Sequence, residues 1–512
     1  MFYNICIITI SNFSLSFSLE FLIQVLLVLL SFFFVLFIVC NNVKFLVFTL
    51  FFVSSLLLFT LVFALLFPTQ IVQQYAFLPR NISLFYFDSL SLLFCVMSVF
   101  IFFLIYLYIL RDLSLSIKPT LILISFTEIL VLLCFSVRNL LVFYFVFELL
   151  SLPMILLILV YGSRGRRIWA SSLFFMYTFG SSLLLLVSIF LIFKTFGTLN
   201  FDLFLHMNKS DMCLQNTNFV FVLFALSWIA FSIKLPTMPL HLWLPEAHVE
   251  APTIGSVILA ALLLKLGGFG ILRVVIPLTQ DVSLMCRTVF FSFCVISVFY
   301  ASFLAYRHFD LKKIIAYSSI LHMNFSILAC LTESKICLIG SIISMLCHSL
   351  IAAGLFFAAG FFYEKFKTRN ILYYISLTQA SSYMYVTLFV IILANMAIPF
   401  TISFPGELAV YCGLYKTNFY LFLIIIPALF FSGLFSFALL YRLIYFNKPL
   451  NLHLMLFSLK NSIYVSPLTH QNILFFSQSE IFILSILTCQ IIVFSFFPDI
   501  FIEHITNFIV YL

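Results

Sequence analysis

Six ionisable side chains lie in stretches of the sequence that are otherwise almost entirely apolar: Glu148, Lys234, Lys265, His322, His348 and Glu407. A charge at the centre of a membrane helix costs about 2.5–3.5 kcal/mol on insertion scales, so such groups normally face a protein interior or water. Carboxyls, amines and imidazoles exchange protons, and intramembrane groups of this kind mark ion pathways. The residue types therefore predict a path for protons across a membrane.

The two lysines have different surroundings. Lys265 lies near the middle of the run from Thr253 to Ile271, which contains no other charge. Lys234 is followed at once by Pro236 and Pro239, and proline interrupts the hydrogen bonding of a helix. A lysine at a helix end can instead reach the membrane surface. That alternative applies more to Lys234 than to Lys265, because the prolines can mark a helix end.

Glu148 lies near the middle of a predicted helix, in FYFVFELLSLPMILLI, and Lys234 is its candidate partner. A nearby opposite charge favours the charged form of each group, whereas removal from water favours the neutral form. The balance can bring a proton affinity close to neutral pH, where a third charge would shift it. The alternative is a static buried pair that orients helices, although such pairs contribute little net stability.

His322 and His348 lie in the apolar segments AYSSILHMNFSILA and SMLCHSLIAAGLFFAAG, between Lys265 and Glu407 in the chain. Histidine titrates closest to physiological pH, so it suits a proton relay. A single buried histidine is more often a hydrogen-bonded core residue. Two histidines between a buried lysine and a buried carboxylate favour the relay.

Several other ionisable residues are weaker candidates. Glu128 lies in the fourth predicted span, and we expect it either in the path or at an interface. Glu246, His248 and Glu250 end a predicted helix and are expected at the surface or at the mouth of the path. His241 and His248 are separated by proline and by seven positions, which disfavours a metal site.

Composition identifies the medium around these residues. The chain is 64% hydrophobic and 8% charged, whereas soluble domains are about 25% charged. Apolar runs of about 20 residues recur from end to end, so helices are predicted to span the membrane. We expect an all-α polytopic protein with about fourteen transmembrane helices, near residues 19–40, 43–67, 86–110, 119–136, 139–161, 168–193, 218–249, 253–273, 288–306, 313–332, 336–362, 379–416, 418–445 and 479–501.

Two of these segments are too long for one straight span and contain prolines: the seventh, at 218–249, and the twelfth, at 379–416. Broken helices in corresponding places of two halves point to the path of a transporter. Their separation predicts a five-helix repeat, spans 4–8 and 9–13, unless the two kinks are unrelated. The predicted regions are the first three helices, two repeats, and a polar connection with a last helix, at 1–118, 119–273, 288–445 and 446–512.

Basic residues predict the orientation. Of 25 Lys and Arg, 15 fall in or beside the odd-numbered connections and 8 in the even-numbered ones. Because basic residues concentrate on the inner side, the odd-numbered connections are predicted to be inside and both termini outside. The strongest clusters agree: Arg164, Arg166 and Arg167; Arg307, Lys312 and Lys313; Lys365, Lys367 and Arg369.

Other classes of site are not supported. The 12 cysteines occur without any C-x-x-C, so no disulfide framework, zinc site or iron–sulfur pattern is predicted. No G-x-G-x-x-G or P-loop is present, so nucleotide binding is not expected. The basic residues report topology rather than a nucleic-acid surface. The first 20 residues lack a basic n-region, so no cleaved targeting segment is expected.

A long motif carries a family resemblance. The sequence KLPTMPLHLWLPEAHVEAPTIGSVILAALLLKLGGFGILR, at 234–273, resembles the core signature of the antiporter-like, proton-pumping subunits of respiratory complex I. Supporting matches are FYFVFELLSLP around Glu148, MYTFGSSLLLL at 176–186, DLKKIIAYSSILHM at 310–323 and LANMAIPFTISFPGEL at 393–408. The resemblance covers about residues 85–445, and the central motif is highly specific.

That family implies fourteen helices, inverted five-helix repeats and broken helices 7 and 12. By position in the motifs, the implied roles are a charged pair at Glu148 and Lys234, a central relay lysine at Lys265, connecting relay residues at His322 and His348, and an exit-side carboxylate at Glu407. One departure is Asn139, beside Arg138, where relatives often carry an acidic residue. We expect the polar contacts there to differ.

The resemblance also implies no cofactor in this chain, because NADH, FMN, iron–sulfur clusters and ubiquinone belong to other subunits of such a complex. The implied partners are other membrane-arm subunits, including neighbouring antiporter-like chains, and membrane lipids such as cardiolipin. The implied location is the mitochondrial inner membrane, with both termini on the intermembrane-space side. The residues alone leave two alternatives open: a stand-alone cation/proton antiporter, and a structural subunit whose path is inactive.

Overall fold

The structure is a computed structural model that describes residues 43–66, 87–111, 118–162, 164–201, 217–279, 284–374, 382–444 and 476–509. Helices make up nearly all of this part of the chain. The first nine are α1 (Val43–Leu66), α2 (Ser89–Ile109), α3 (Lys118–Ser136), α4 (Leu140–Leu149), α5 (Ser151–Tyr161), α6 (Arg167–Phe196), α7 (Thr217–Lys234), α8 (Trp243–Glu250) and α9 (Thr253–Ile258, Leu264–Gly270 and Ile276–Thr279, joined by π-helical turns). The remainder are α10 (Leu284–Arg307), α11 (Leu311–Leu331), α12 (Lys335–Phe366), α13 (Ser382–Asn395), α14 (Ser403–Thr417), α15 (Phe419–Ile444), α16 (Gln478–Phe496) and α17 (Asp499–Ile509).

Within the described ranges, 10 helices are long and apolar enough to cross a membrane, so the chain is a polytopic helical protein. The first predicted span, at 19–40, lies outside the described residues. The prediction at 479–501 was wrong at its end, because α16 stops at Phe496 and α17 starts at Asp499. Pro498 stands between them, and proline cannot continue the hydrogen bonding of the preceding helix.

Polar side chains in these helices bond to their own backbone. Ser188 donates to the Leu185 carbonyl at 2.6 Å, and Ser297 donates to that of Cys294 at 2.7 Å. Such bonds satisfy a hydroxyl where there is no water to do so. The serines scattered through the apolar runs are therefore compatible with membrane spans.

The seventh predicted span is broken, as its prolines predict. α7 ends at Lys234, and α8 begins at Trp243. The indole of Trp243 donates to the Ile233 carbonyl at 2.9 Å, and the Asn324 side chain of α11 donates to the Pro236 carbonyl at 3.1 Å. These donors replace helical bonds that the break removes, which allows an irregular backbone inside the bundle.

The twelfth predicted span is broken in a similar way. α13 ends at Asn395, and α14 begins at Ser403. The Ser403 hydroxyl donates back to the Ala394 carbonyl, and the Cys347 thiol of α12 contacts the Ile402 carbonyl at 3.1 Å. Each break thus places a freed backbone segment against α11 or α12.

The fifth predicted span, at 139–161, is confirmed as one apolar helical span, Leu140–Tyr161. Its hydrogen bonding is irregular at Leu150, between α4 and α5, because Pro153 cannot donate to the carbonyl four residues earlier. One further irregularity was not predicted. α9 contains π-helical turns at Leu259–Leu263 and Ile271–Val275, on either side of Lys265. Such turns are frequent at functional sites, because they re-aim side chains and carbonyls.

Two short antiparallel bridges occur at corresponding points of the chain. Asn139 pairs with Asn200, and Asp310 pairs with Asn370. Asn139 and Asp310 each lie three positions after the end of a helix. Their partners each lie three positions after a helix cap in the left-handed conformation, which is Gly197 in the first case and Lys367 in the second. Asn139 also caps α4 through a 2.9 Å bond to the Leu141 amide, so this unusual residue stabilises a helix start.

The centre of the bundle is formed by α9, α11 and α12. The apolar window of α9 is 100% buried and those of α11 and α12 are 89% buried, against 39% for α6 and for α15. Glycines bring α12 and α14 together: a Cβ at Gly340 would lie 2.7 Å from the Gly406 carbonyl oxygen. This close crossing places Glu407 beside the central helices.

Candidate functional site

Lys265 is at the centre of the site, on the fully buried helix α9. Its ammonium donates to the Ala260 carbonyl at 2.8 Å and lies 2.7 Å from Nδ1 of His348 on α12. Its exposed fraction is 2%, so the snorkelling alternative does not apply. Ala260 belongs to the first π-helical turn, which gives the lysine a carbonyl partner in its own helix.

The two histidines and the glutamate extend this contact into a row. The rings of His348 and His322 have centroids 5.8 Å apart and planes inclined by 45°. Nδ1 of His322, on α11, lies 3.3 Å from Oε1 of Glu407 on α14. The structure therefore brings four of the six predicted residues into one row, on four different helices, in the order Lys265, His348, His322, Glu407.

A small cavity adjoins the row. His322, His348 and Glu407 line it together with Asn395 and Ser403 from the second break. Nε2 of each histidine is buried and has no hydrogen-bond partner among the described residues. Each histidine thus holds Lys265 or Glu407 through Nδ1 and keeps Nε2 for another partner. A polar cavity of this kind can hold a bridging water if two or more partners converge on it.

Glu148 and Lys234 do not make the direct contact that the sequence suggested. The Lys234 ammonium lies 4.4 Å from the centroid of the Phe147 ring, and the Glu148 carboxylate accepts from Ser182 at 3.2 Å. No ion pair joins the two within the described part of the chain. Neighbouring residues on α4 point about 100° apart, so the helix turns Phe147 rather than Glu148 toward the lysine.

The two members of this pair also differ in burial. Lys234 is 6% exposed, whereas Glu148 is half-buried and lies among exposed apolar side chains, Phe145, Leu149 and Leu152. The glutamate thus lies near the outer flank of the chain. A carboxylate at mid-span on such a flank is unfavourable against lipid.

Glu128 is not at an interface. It is fully buried between α2 and α3, and it accepts from the Tyr106 hydroxyl at 2.6 Å. The structure does not bring it into contact with the row. The sequence carried no signal for Tyr106, because a tyrosine in an aromatic-rich chain is unremarkable.

His248 and Glu250 are not surface residues, so that expectation was wrong. Both are at most 1% exposed, because α8 folds back into the bundle after the break. The His248 ring stacks on Phe356 of α12 with centroids 4.6 Å apart. Glu246 is closer to the expectation, since its partly exposed carboxylate pairs with Lys313 at 3.2 Å. His241 packs edge-on against Tyr300.

Some polar residues near the site were missed. Asn324 on α11 is fully buried, and it bonds both the break after Lys234 and its own helix, through the Ile320 carbonyl at 2.7 Å. Lys312 is also buried and donates to the Ala251 carbonyl at 2.7 Å. For Asn324, the available sequence signal was a polar amide in an apolar run, two positions after His322. Over the described ranges, no cluster of three or more His, Cys, Asp or Glu could hold a metal ion.

Comparisons with known proteins identify the family of this chain. Residues 137–434 match the family described as NADH:quinone oxidoreductase/Mrp antiporter, TM. The chain is 36% identical over 390 residues to NADH-ubiquinone oxidoreductase chain 4 of Acanthamoeba castellanii, covering 75% of this chain and 76% of that protein.

Solved structures share the fold. A chain of respiratory complex I from Thermus thermophilus matches with a TM-score of 0.78 at 22% identity, over 95% of this chain and 98% of that one. A chain of the Mrp complex from Dietzia sp. DQ12-45-1b matches with a TM-score of 0.79 at 16% identity, over 96% of each. At such identities the likeness concerns the fold alone.

Proposed function

The chain belongs to the NADH:quinone oxidoreductase/Mrp antiporter family, and on that premise we propose that it is a membrane subunit of mitochondrial complex I that moves protons across the inner membrane. The observation that carries this proposal is the row from Lys265 to Glu407. Four proton-exchanging side chains lie in sequence inside an apolar bundle, where ionisable groups are rare unless they serve a path.

The contacts suggest an order of proton transfer. Lys265 gives a proton to Nδ1 of His348, whose Nε2 proton then leaves toward the second histidine. Water in the cavity is well placed to carry that proton to Nε2 of His322, since both Nε2 atoms lack other partners among the described residues. His322 then passes its Nδ1 proton to Glu407. After one transfer each histidine holds the opposite tautomer, so both must return to the starting tautomer before the next proton follows.

The energy scale is compatible with pumping. Moving one charge through the membrane potential costs about 2.3 kcal/mol per 100 mV, and a shift of one pKa unit corresponds to about 1.4 kcal/mol. A change of a few units at one buried group is therefore enough. Lys265 is the group best placed for such a change, because its partners are one carbonyl and one imidazole rather than a carboxylate.

Glu148 and Lys234 provide a site where such a change can begin. The Phe147 ring lies against the Lys234 ammonium. Glu148, the next residue after Phe147, accepts a hydrogen bond from Ser182. Movement of the glutamate, or of a charge outside the chain, would alter the field at Lys234. Because Gly267 of α9 packs against Lys234 and Leu235, that alteration would reach the helix that carries Lys265.

The position of Glu148 supports a neighbouring subunit as partner. Ser182 is a neutral partner, so a half-buried carboxylate among exposed apolar residues is open to a polar or cationic group from outside the chain. The solved structures of similar fold are chains of respiratory or Mrp complexes. We place a neighbouring membrane-arm subunit on the α4–α6 flank, and lipids such as cardiolipin on the remaining apolar surface.

The two bridges support the repeat layout. The unit from α3 to α9 and the unit from α10 to α15 each contain a bridge, a left-handed cap and a broken helix in the same order. On this basis the chain contains two inverted five-helix repeats within fourteen spans. Both termini are placed on the intermembrane-space side, opposite the basic connections.

The chain acts as part of an oxidoreductase, and in this proposal it holds no redox centre or cofactor of its own. NADH, FMN, iron–sulfur clusters and ubiquinone then belong to other subunits, and energy reaches this chain through contacts and charge.

The test is redox-driven proton pumping by the intact complex in sealed vesicles, with Lys265→Ala and with NADH-to-quinone electron transfer recorded alongside. Pumping is expected to fall at least about tenfold, the scale of losing a proton-transfer group, while the complex still assembles. Unchanged pumping would indicate a structural subunit. Sodium-dependent exchange without electron transfer would indicate a stand-alone antiporter.

A further inference from the structure

A second group of polar residues lies at the basic end of the bundle, beyond Lys265. The Tyr108 hydroxyl of α2 donates to Oε1 of Glu364 at 2.5 Å, and the Thr253 hydroxyl of α9 donates to Tyr108 at 2.9 Å. The Glu364 side chain is 38% exposed. Thr253 begins the helix that carries Lys265. The hydrogen bonds thus run from an accessible carboxylate to the start of the central helix.

One row of positions on α12 extends from this group to the relay. His348, Phe356, Gly360 and Glu364 are separated by multiples of four residues, so they follow one ridge that winds about 160° around the helix. At 1.5 Å per residue, the row is about 24 Å long. It begins at the relay histidine and ends at the accessible carboxylate.

Each of these positions contacts a different polar residue. From the basic end, the pairs are Glu364 with Tyr108, Gly360 with Thr253, Phe356 with His248, and His348 with Lys265. A Cβ at Gly360 would lie 2.4 Å from the Thr253 methyl, so only glycine allows this approach. Both ring nitrogens of the buried His248 are without a partner among the described residues.

We propose that Glu364, Tyr108 and Thr253 form the route by which protons from the basic side of the membrane reach Lys265. Glu364 takes a proton from water and gives it to the Tyr108 oxygen. Tyr108 passes its own proton to Thr253, which passes its own inward, toward His248. One proton moves along the route and leaves no net charge behind. Before each transfer both hydroxyls must rotate inward, because in the structure Tyr108 donates to Glu364 and Thr253 donates to Tyr108.

The charges around Glu364 are compatible with this role. Arg111 of α2 pairs with Glu364 at 3.1 Å and with Glu480 of α16 at 2.6 Å, so two carboxylates share one guanidinium. Lys365 and Lys367 follow on the same helix. Arg111 also lies over the Tyr108 ring, 5.3 Å from its centroid, which keeps the tyrosine in place while its hydroxyl turns.

The structure offers matched controls for a role in proton transfer. Tyr108→Phe and Thr253→Val remove one hydroxyl each and keep the shape of the side chain. Glu364→Gln removes the carboxylate of the row. Glu480→Gln removes the other partner of Arg111. The Glu480 carboxylate accepts from the Ser477 amide at the start of its own helix and is not part of the row. Tyr374→Phe removes a hydroxyl that bonds only the Thr368 carbonyl nearby.

This inference rests on the proposed function, so Lys265→Ala is measured in the same intact complex and vesicles. We expect Tyr108→Phe, Thr253→Val and Glu364→Gln to lower pumping by roughly threefold or more near pH 8.5. The loss should be much smaller near pH 6.5, because protons are more abundant in solution at the lower pH. Glu364→Asp should recover part of the rate. Tyr374→Phe should behave like the unaltered complex. Glu480→Gln changes the pairing of Arg111 but keeps the carboxylate and both hydroxyls of the row, so any loss of pumping there should be similar at both pH values.

Three results would overturn the inference. If Tyr108→Phe and Thr253→Val pump normally at every pH while Lys265→Ala does not, protons reach the lysine by another route and the proposed function stands. If Glu364→Gln and Glu480→Gln are impaired equally and without dependence on pH, the group is a structural clamp. If Lys265→Ala also pumps normally, the proposed function itself fails together with this inference.

Discussion

The row from Lys265 to Glu407 and the region around Glu148 and Lys234 contain similar residues in different settings. In the row, each side chain contacts the next across helices of the same chain, and all lie in the centre of the bundle. Around Lys234, an aromatic ring takes the place of the carboxylate, and Glu148 lies at the flank. The row is complete within the chain, whereas the second region is open to a neighbour.

In our proposal this difference separates a conducting element from a responsive one. The buried row would transfer protons through its own side chains and the water of the adjoining cavity. The carboxylate at the flank would experience the charges of an adjacent subunit, and a change there would reach the row through α9. If substitutions in both regions have the same effect on proton pumping, this distinction is wrong.

The largest effect is expected from Glu407→Gln, which removes the carboxylate that accepts from His322. Pumping should fall about tenfold or more, because a proton-transfer group is lost. Glu407→Asp should restore part of it. Glu503→Gln, at an exposed residue of α17, serves as the control and should leave pumping unchanged. Proton uptake by vesicles during NADH oxidation measures this, and normal pumping by Glu407→Gln would remove the residue from the row.

A smaller effect is expected from Phe147→Leu, which removes the ring beneath the Lys234 ammonium. If the substitution removes roughly 0.5–1 kcal/mol of cation–π interaction, coupled turnover should change about two- to fivefold. Phe143→Leu is the matched control, because Phe143 is buried in the same helix and stacks on Phe147. If both substitutions change the ratio of protons pumped to electrons transferred equally, the Phe147 ring acts through packing alone. The assignment of the responsive region to Glu148 and Lys234 would then be wrong.

Asn324→Ala tests the link between the two regions. The substitution leaves the Pro236 carbonyl in the break without its donor, which should destabilise the fold by about 1–3 kcal/mol. The expected observation is a lower unfolding temperature of the purified complex, with pumping reduced less than by Glu407→Gln. Asn418→Ala, which removes a partly buried cap of α15, provides the comparison. Equal stability of the Asn324→Ala complex would show that the break needs no such support.

The smallest effect is expected from Lys313→Ala. Its ion pair with Glu246 joins partly exposed side chains, and such pairs contribute about 0–1 kcal/mol. Pumping and stability should stay close to those of the unaltered complex at any salt concentration. A severalfold loss of pumping would mean that Glu246 belongs to the mouth of the path after all.

Local signals were sufficient for much of the fold. Hydropathy predicted nearly every described helix, and the prolines after Lys234 predicted the break before Trp243. The end of α16 was missed, although Pro498 was visible. A single proline near a helix start is compatible with an unbroken helix, so sequence alone could not decide this case.

The sequence by itself determined which residues could exchange protons, because a charge in an apolar run is costly and therefore informative. Only the tertiary structure decided which of them meet. It joined Lys265 to His348 and His322 to Glu407, turned Phe147 rather than Glu148 toward Lys234, and buried His248 where a helix end suggested the surface. Such contacts depend on helix rotation and crossing, which a pattern along one helix does not contain.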